Sequence, residues 1–283
     1  MKSIKTWQED RPLGAWKYMI IIIMLSLIVL VPYIWLTFQS MTDTQGNFTL
    51  ANWSFLYSET HINLGKKLPS AAVPLLNSLL FASAMAASVV LVTTPAAYAL
   101  SRTSFLGRRV VTKLMIVLDA FPTVALLISF VFLLYYLNLI NTLTGVILLR
   151  VSMYLPGAIW LMKGFFDHVS WDIEWAAIVD GASRFKTFIR IIVPAAKPGI
   201  AVILVNSFLS GWGEFILINL FIQGGAKTMS GFISSMLNED SRSMVTPGLM
   251  AAACIIYMVP VIIVFALSQK TLLKVRQGGS KQL

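Results

Sequence analysis

Three charged side chains, Asp119, Arg150 and Glu214, stand inside long apolar runs. Charge in such surroundings costs about 2.5–3.5 kcal/mol at a bilayer centre on insertion scales, so it is normally paired or lines a polar path. Glu214 lies in the run Gly199–Phe221, and Arg150 in Thr144–Leu161. At a rise of about 1.5 Å per helical residue, Glu214 sits roughly 24 Å above the inner end of its run, and Arg150 roughly 9 Å below the outer end of its own. Both fall in the outer third of a hydrocarbon core about 30 Å thick. They are expected to pair and brace two neighbouring helices near an outer gate. The alternative is that Arg150 snorkels alone to the outer interface while Glu214 bonds locally. Asp119 stands nearer the inner face, one turn before Pro122, which can kink its helix. It either bonds freed backbone or faces a solute path.

Enzyme-type constellations are not expected. The two histidines, His61 and His168, are far apart in sequence and fall on opposite sides of the membrane in the topology derived below, so neither a triad nor a metal centre is built on them. The stretch Gly224–Thr228 has neither the Gly-Lys-Ser/Thr ending nor the upstream glycine of a phosphate-binding loop. The reading is of no catalytic residue, no metal and no cofactor bound by the chain itself.

The segment from Ser170 to Pro194 carries the most information. Ser170 suits a helix N-cap, with Asp172 and Glu174 in the first turns, where carboxylates complement the helix dipole. Gly181 suits a left-handed C-cap. Ser183 can then cap a second helix, in which Phe185, Phe188, Ile189 and Ile192 form one apolar stripe at helical spacing, with Arg184, Lys186 and Arg190 elsewhere. Pro194 and Pro198 stop it and start the next run. The pattern alone fits an amphipathic hairpin on the inner leaflet, drawn to anionic lipid, or a docking element for a cytoplasmic partner.

Residue identities favour docking. The segment resembles the cytoplasmic signature of ABC-importer permeases: Glu-Ala-Ala, three residues, Gly, nine residues, Ile, one residue, Leu-Pro. Ala176, Ala177, Gly181, Ile191 and Pro194 stand in register, and Asp180-Gly181-Ala182 is similar to the sugar-importer version. Trp175 takes the place of the family's Glu, with Glu174 one position earlier, and Val193 replaces Leu. The resemblance extends from about Asn77 to Leu272, through Ala97-Tyr98-Ala99, Phe121-Pro122 and Trp160–Phe166, and is to the MalG-type permeases of maltose and related oligosaccharide importers.

The resemblance implies an all-α integral membrane protein of the type I ABC-importer permease fold, with six transmembrane helices and a cytoplasmic coupling helix. It implies coupling to an ATPase through Glu174, Trp175, Ala176, Ala177, Asp180, Gly181, Ile191 and Pro194. The implied partners are a second homologous permease, two cytoplasmic ATPase subunits that use the ATP, and an extracytoplasmic solute-binding protein. The solute would be a di- or oligosaccharide crossing a bacterial-type inner membrane. On that reading Asp119, Arg150, Trp212 and Glu214 are the substrate-path or gate candidates; Trp212, flanked by Gly211 and Gly213, would offer its ring to a sugar or simply pack. A permease of the same class for polyamine, amino acid or phosphate is the nearest alternative. An ion-coupled secondary transporter is further off, since the inverted repeats expected of one are not visible.

The elements that must position these residues follow from composition. Of 283 residues 57% are hydrophobic and 12% charged, with a mean hydropathy of +0.78. A soluble domain carries about 25% charged residues, so lipid is the solvent for most of the chain. Unbroken apolar runs exclude barrel strands. Six are long enough to cross: Lys17–Phe38, Leu75–Leu100, Leu114–Tyr136, Thr144–Leu161, Gly199–Phe221 and Gly248–Leu272. The first is too long for a signal-peptide core and lacks a small-residue cleavage site, so it is read as retained.

With both termini cytoplasmic, 17 of the 22 Lys and Arg residues lie inside and four outside, Arg150 being the remaining one. That is the positive-inside pattern. It accounts for the net charge of +10 without nucleic acid as a partner. The organisation reads as a cytoplasmic N-terminus (1–16), a first span with an outer loop (17–74), a transmembrane core (75–272) holding the coupling loop (165–197), and a cytoplasmic tail (273–283). Cys254 packs in an apolar run.

Overall fold

The computed structural model describes residues 15–63, 66–68, 70–223, 228–237 and 245–278. Most of the N-terminal segment 1–16 and the end of the tail lie outside the described residues, as does Gly224–Lys227. The helices are α1 (Ala15–Ser40), α2 (Ala72–Arg102), α3 (Arg108–Asp119), α4 (Leu127–Tyr136), α5 (Leu143–Asp167), α6 (Trp171–Val179), α7 (Arg184–Ala195), α8 (Lys197–Trp212), α9 (Ile216–Phe221), α10 (Met229–Leu237) and α11 (Pro247–Gly278). The outer loop after α1 holds a 3₁₀ turn, Ala51–Leu56, and an antiparallel hairpin of β1 (Thr60–Asn63) and β2 (Lys66–Leu68).

Four helices are long and apolar enough to cross a bilayer: α1, α2, α5 and α11. Two bent pairs, α3 with α4 and α7 with α8, the latter at 73°, bring the number to six if each is one span. The third and fifth spans are therefore not the continuous helices the apolar runs predict. In the third, α3 and α4 meet at 93°. Pro122 is extended there (φ −68°, ψ 117°), because it has no N–H to continue the ladder, and a 3₁₀ turn, Thr123–Leu126, restarts it. In the fifth, α8 stops at Trp212, and Glu214 takes over the next turn by accepting a hydrogen bond from Leu217 N at 2.9 Å.

Helix α2 is the hub of the bundle, packed along α5 on one side and α8 on the other. Lipid tails are as apolar as leucine, so association here depends on close packing more than on burial of oil. Small residues allow it. Ala82 and Ala86 of α2 are buried against Phe208 and Trp212 of α8. A Cβ on Gly211 would lie 3.0 Å from the Ala82 Cα. An inner cluster of Met85, Val89, Leu100, Met162, Phe166, Ile192 and Ile203 ties α2, α5, α7 and α8 together. An outer one of Phe81, Leu134, Val146, Leu149 and Leu217 ties α2, α4, α5 and α9. Helix α1 is exposed along its length and leans on α11.

Candidate functional site: the coupling loop and the charges in the spans

Helix α6 begins and ends as its residues dictate. Ser170 Oγ accepts from Asp172 N at 3.2 Å, and Gly181 (φ 84°) closes the other end. Gly181 N donates to Ile178 O and Ala182 N to Ala177 O, both at 3.0 Å, which is the Schellman arrangement. Ser183 Oγ then caps α7 by accepting from Lys186 N at 3.3 Å.

The apolar stripe expected on α7 is shifted. Thr187 and Ile192 are buried, and Phe188 and Ile191 pack on the inner cluster, but Phe185 and Ile189 are exposed. A π turn runs over Phe188–Ile192, with Val193 N bonding Phe188 O. Pro194 can offer no N–H and would crowd the carbonyl four residues back; the wider turn accommodates both conditions and rotates the following face.

Helix α6 has two faces of different chemistry. Glu174 and Ala177 point inward and are buried. Asp172, Trp175, Ala176 and Val179, at i, i+3, i+4 and i+7, point outward; Trp175 is 53% exposed and Val179 83%. The step of about 100° between neighbouring residues explains why Glu174 and Trp175 part company. Glu174 does not reach the outer surface. Tyr98 Oη donates to its Oε1 at 2.7 Å, and Arg102 Nε lies 3.4 Å from its Oε2.

Arg102, the last residue of α2, gathers three elements. Its Nη2 donates to Phe166 O at 2.8 Å and to Val169 O, capping the end of α5. Its guanidinium lies 4.4 Å over the Trp171 ring, and its side chain is 1% exposed. Beside it Ser101 Oγ donates to Asp167 Oδ1 at 2.6 Å, and Lys163 pairs with Asp167. The Tyr98 ring stands 4.5 Å from Phe188 and 5.9 Å from Phe166. The Ser170–Pro194 segment is thus bolted to the C-terminal end of α2. Sequence reading counted Arg102 only among the basic anchors. Its i, i+4 spacing from Tyr98, which sets both on one helix face, was the available signal.

Within the spans Arg150 and Glu214 do pair, with Nε 2.8 Å from Oε2. Arg150 Nη2 also donates to Ser210 Oγ at 2.7 Å, and Ser230 Oγ donates to Glu214 O at 3.1 Å. Glu214 is buried, while the Arg150 side chain keeps 24% exposure. The pair joins α5 to the break between α8 and α9. Asp119 is elsewhere, at the end of α3, its carboxylate against Gly157 of α5.

Trp212 does not offer a ring to any solute. It is 2% exposed, stacked on Tyr257 at 5.4 Å and Phe208 at 6.3 Å. Its Nε1 donates to Tyr257 O and Tyr257 Oη donates to Trp212 O, both at 3.1 Å. One face of the indole packs on Tyr257 of α11 and the other on Phe208 of its own helix.

Residues 90–274 match the family described as binding-protein-dependent transport system inner membrane component. The diacetylchitobiose uptake system permease protein of Streptomyces coelicolor is 28% identical over 93% of this chain and 87% of its own length. The trehalose/maltose transport system permease protein of Thermococcus litoralis is 26% identical over 91% and 93%. Among solved structures, a bacterial ABC transporter involved in the import of the acidic polysaccharide alginate superposes with a TM-score of 0.73 at 20% identity, over 95% of this chain and 99% of that one.

Proposed function

Because the chain belongs to the family of binding-protein-dependent transport system inner membrane components, we propose that it is the permease subunit of an ATP-driven importer that carries a di- or oligosaccharide across a bacterial-type inner membrane. The relatives named above, whose own solutes are diacetylchitobiose and trehalose or maltose, support the sugar class. The chain supplies the path and the coupling lever. A second permease of the same kind completes the path, an extracytoplasmic binding protein delivers the solute, and two cytoplasmic ATPase subunits hydrolyse ATP. Both termini are cytoplasmic.

One observation carries this reading: α6 is anchored on its inner face by Tyr98 and Arg102 and bare on its outer face. A lever needs that division. The bare face, Trp175, Ala176 and Val179, with Phe185 beyond the turn, is what the ATPase grips. Asp180 and Gly181 set the turn, and Ile191 and Pro194 pass the motion to α8. Glu174 then serves from behind, holding the helix rather than meeting the ATPase. With Trp175 at the family's Glu position, the grip is apolar where a carboxylate would have made it ionic.

Of the two intramembrane carboxylates that would suit a cationic solute, Glu214 is already neutralised by Arg150. The test is copurification and uptake. Trp175→Asp is expected to abolish recovery of the ATPase with the chain, and ATP-dependent sugar uptake with it, while membrane insertion is kept. A desolvated aromatic anchor contributes on the order of 2–4 kcal/mol to an interface, so affinity should fall by roughly thirtyfold or more. An unchanged yield of ATPase would refute the assignment of this face.

A further inference from the structure

We propose, resting on the importer reading above, that one face of α5 with Asp119 set against it is a solute-contacting wall selective for neutral, hydroxyl-rich sugars over anionic ones. Arg150, Tyr154 and Gly157 recur at i, i+4 and i+7 of α5 and so share one face, about 10 Å long over two turns. Asp119 closes the Gly157 end, its carboxylate occupying the space that a side chain at position 157 would need. Asp119, Arg150 and Tyr154 border a cavity of about 470 Å³, with Ser152 and the rings of Phe121 and Phe130 as further lining. Gly157 lies ten residues from the inner end of α5, roughly 15 Å, which puts the wall at mid-membrane and above.

The state of the polar groups points to a solute. Arg150 is engaged by Glu214 and Ser210. The Asp119 carboxylate and the Tyr154 hydroxyl make no hydrogen bond among the described residues; the two act on each other electrostatically, with Arg150 also beside Tyr154, and both border the cavity, where Asp119 is exposed. A carboxylate in a membrane span takes a polar partner, here one supplied through the cavity. Sugar hydroxyls do: a carboxylate accepts from adjacent hydroxyls, a phenol gives or accepts one more bond, and phenyl rings cover the C–H faces of a pyranose. The charge decides the class. Arg150 and Glu214 cancel, so Asp119 leaves the wall negative, and a uronate or sulfonate entering it meets repulsion in a low dielectric.

The experiment uses the assembled importer, with its partner permease, ATPases and binding protein, in proteoliposomes. Radiolabelled maltose, trehalose and diacetylchitobiose serve as neutral probes, and a galacturonate disaccharide as the anionic one. ATP-dependent uptake of a neutral probe and exclusion of the uronate are expected. Uptake of the uronate alone would overturn the selectivity while leaving the importer reading intact. Movement of none of them would overturn both. Asp119→Asn and Tyr154→Phe should each slow uptake of the neutral probe by roughly tenfold, the scale of one hydrogen bond to a charged group. ATP hydrolysis triggered by loaded binding protein should persist in both, which shows that coupling and assembly are unharmed. Should Asp119→Asn fail to assemble, Tyr154→Phe carries the test alone. Uptake within twofold of the unmodified importer in the variants that assemble means lipid or the partner permease fills the cavity, and the wall is not a solute site.

Discussion

Among the described residues there are two Arg–Glu pairs, one at each end of the bundle, and they are built differently. At the inner end Arg102 and Glu174 are sealed, with side-chain exposures of 1% and 6%. Two backbone carbonyls, an indole face and a phenol surround them. At the outer end Arg150 and Glu214 are closer, 2.8 Å against 3.4 Å, but the arginine keeps 24% exposure to the cavity. The difference is one of alternatives. A guanidinium buried on all sides in protein cannot move without stranding a charge, whereas one open to a cavity can exchange its carboxylate for water. The inner pair is a joint and the outer pair a latch. A lever must be rigid where it is gripped, and a gate must open.

The largest effect should follow from breaking the joint. Arg102→Met leaves Glu174 buried without its cation and uncaps the end of α5. Removing one partner of a buried pair costs about 3–5 kcal/mol. Sugar uptake is expected to fall by a hundredfold or more, with ATP hydrolysis no longer answering to the binding protein. Pairing it with Glu174→Met should recover part of the stability, since two apolar residues replace a complete pair more cheaply than a broken one, but not the coupling, because the carbonyls of Phe166 and Val169 still lack their donor. Thermal unfolding in detergent and uptake, measured on the same variants, separate the two. If Arg102→Met transports normally, the joint is ornamental and the comparison fails.

Breaking the latch should cost less. Arg150→Gln and Glu214→Gln are each expected to lower uptake roughly tenfold, consistent with coupling energies of 0.5–3 kcal/mol between neighbouring charged residues. The double neutralisation should do better than either single change, because no lone charge is left in the span. A double-mutant cycle on uptake gives the sign directly. Strict additivity would mean that the two residues act apart, and the latch would have to be abandoned.

What could be read from the residues alone, and what could not, divides along the same line. Local chemistry was legible. Ser170, Gly181 and Ser183 cap and turn the coupling loop as their side chains and backbone freedom require. Apolar run length located the spans, and a rough count of rises placed Arg150 level with Glu214, which suffices for a pair carried on two helices. Three things were not legible. The packed stripe of α7 runs through Thr187, Phe188, Ile191 and Ile192 and leaves Phe185 and Ile189 exposed, because periodicity gives the spacing of a stripe and not which of two adjoining faces packs. The Arg102–Glu174 joint links residues more than 70 positions apart, and nothing in either segment names the other. The breaks after Asp119 and after Trp212 lie inside apolar runs, where hydropathy cannot tell one helix from two.

Trp212 offers the smallest and most discriminating change. It sits two residues before Glu214, at the end of α8, where it and Tyr257 exchange hydrogen bonds through backbone carbonyls. Those bonds fix α8 to α11 beside the latch without touching its charges. Trp212→Phe keeps a ring against Tyr257 and Phe208 and removes the N–H donor. One neutral hydrogen bond amounts to about 1 kcal/mol net, so thermal stability should fall slightly and uptake should stay within about threefold. The latch reading requires that outcome, because it assigns motion to the Arg150–Glu214 pair and leaves the Trp212 end of α8 a fixed pivot. A loss as deep as that of Glu214→Gln would shift the moving part to α11 and make the stacked aromatics, rather than the ion pair, the element that opens.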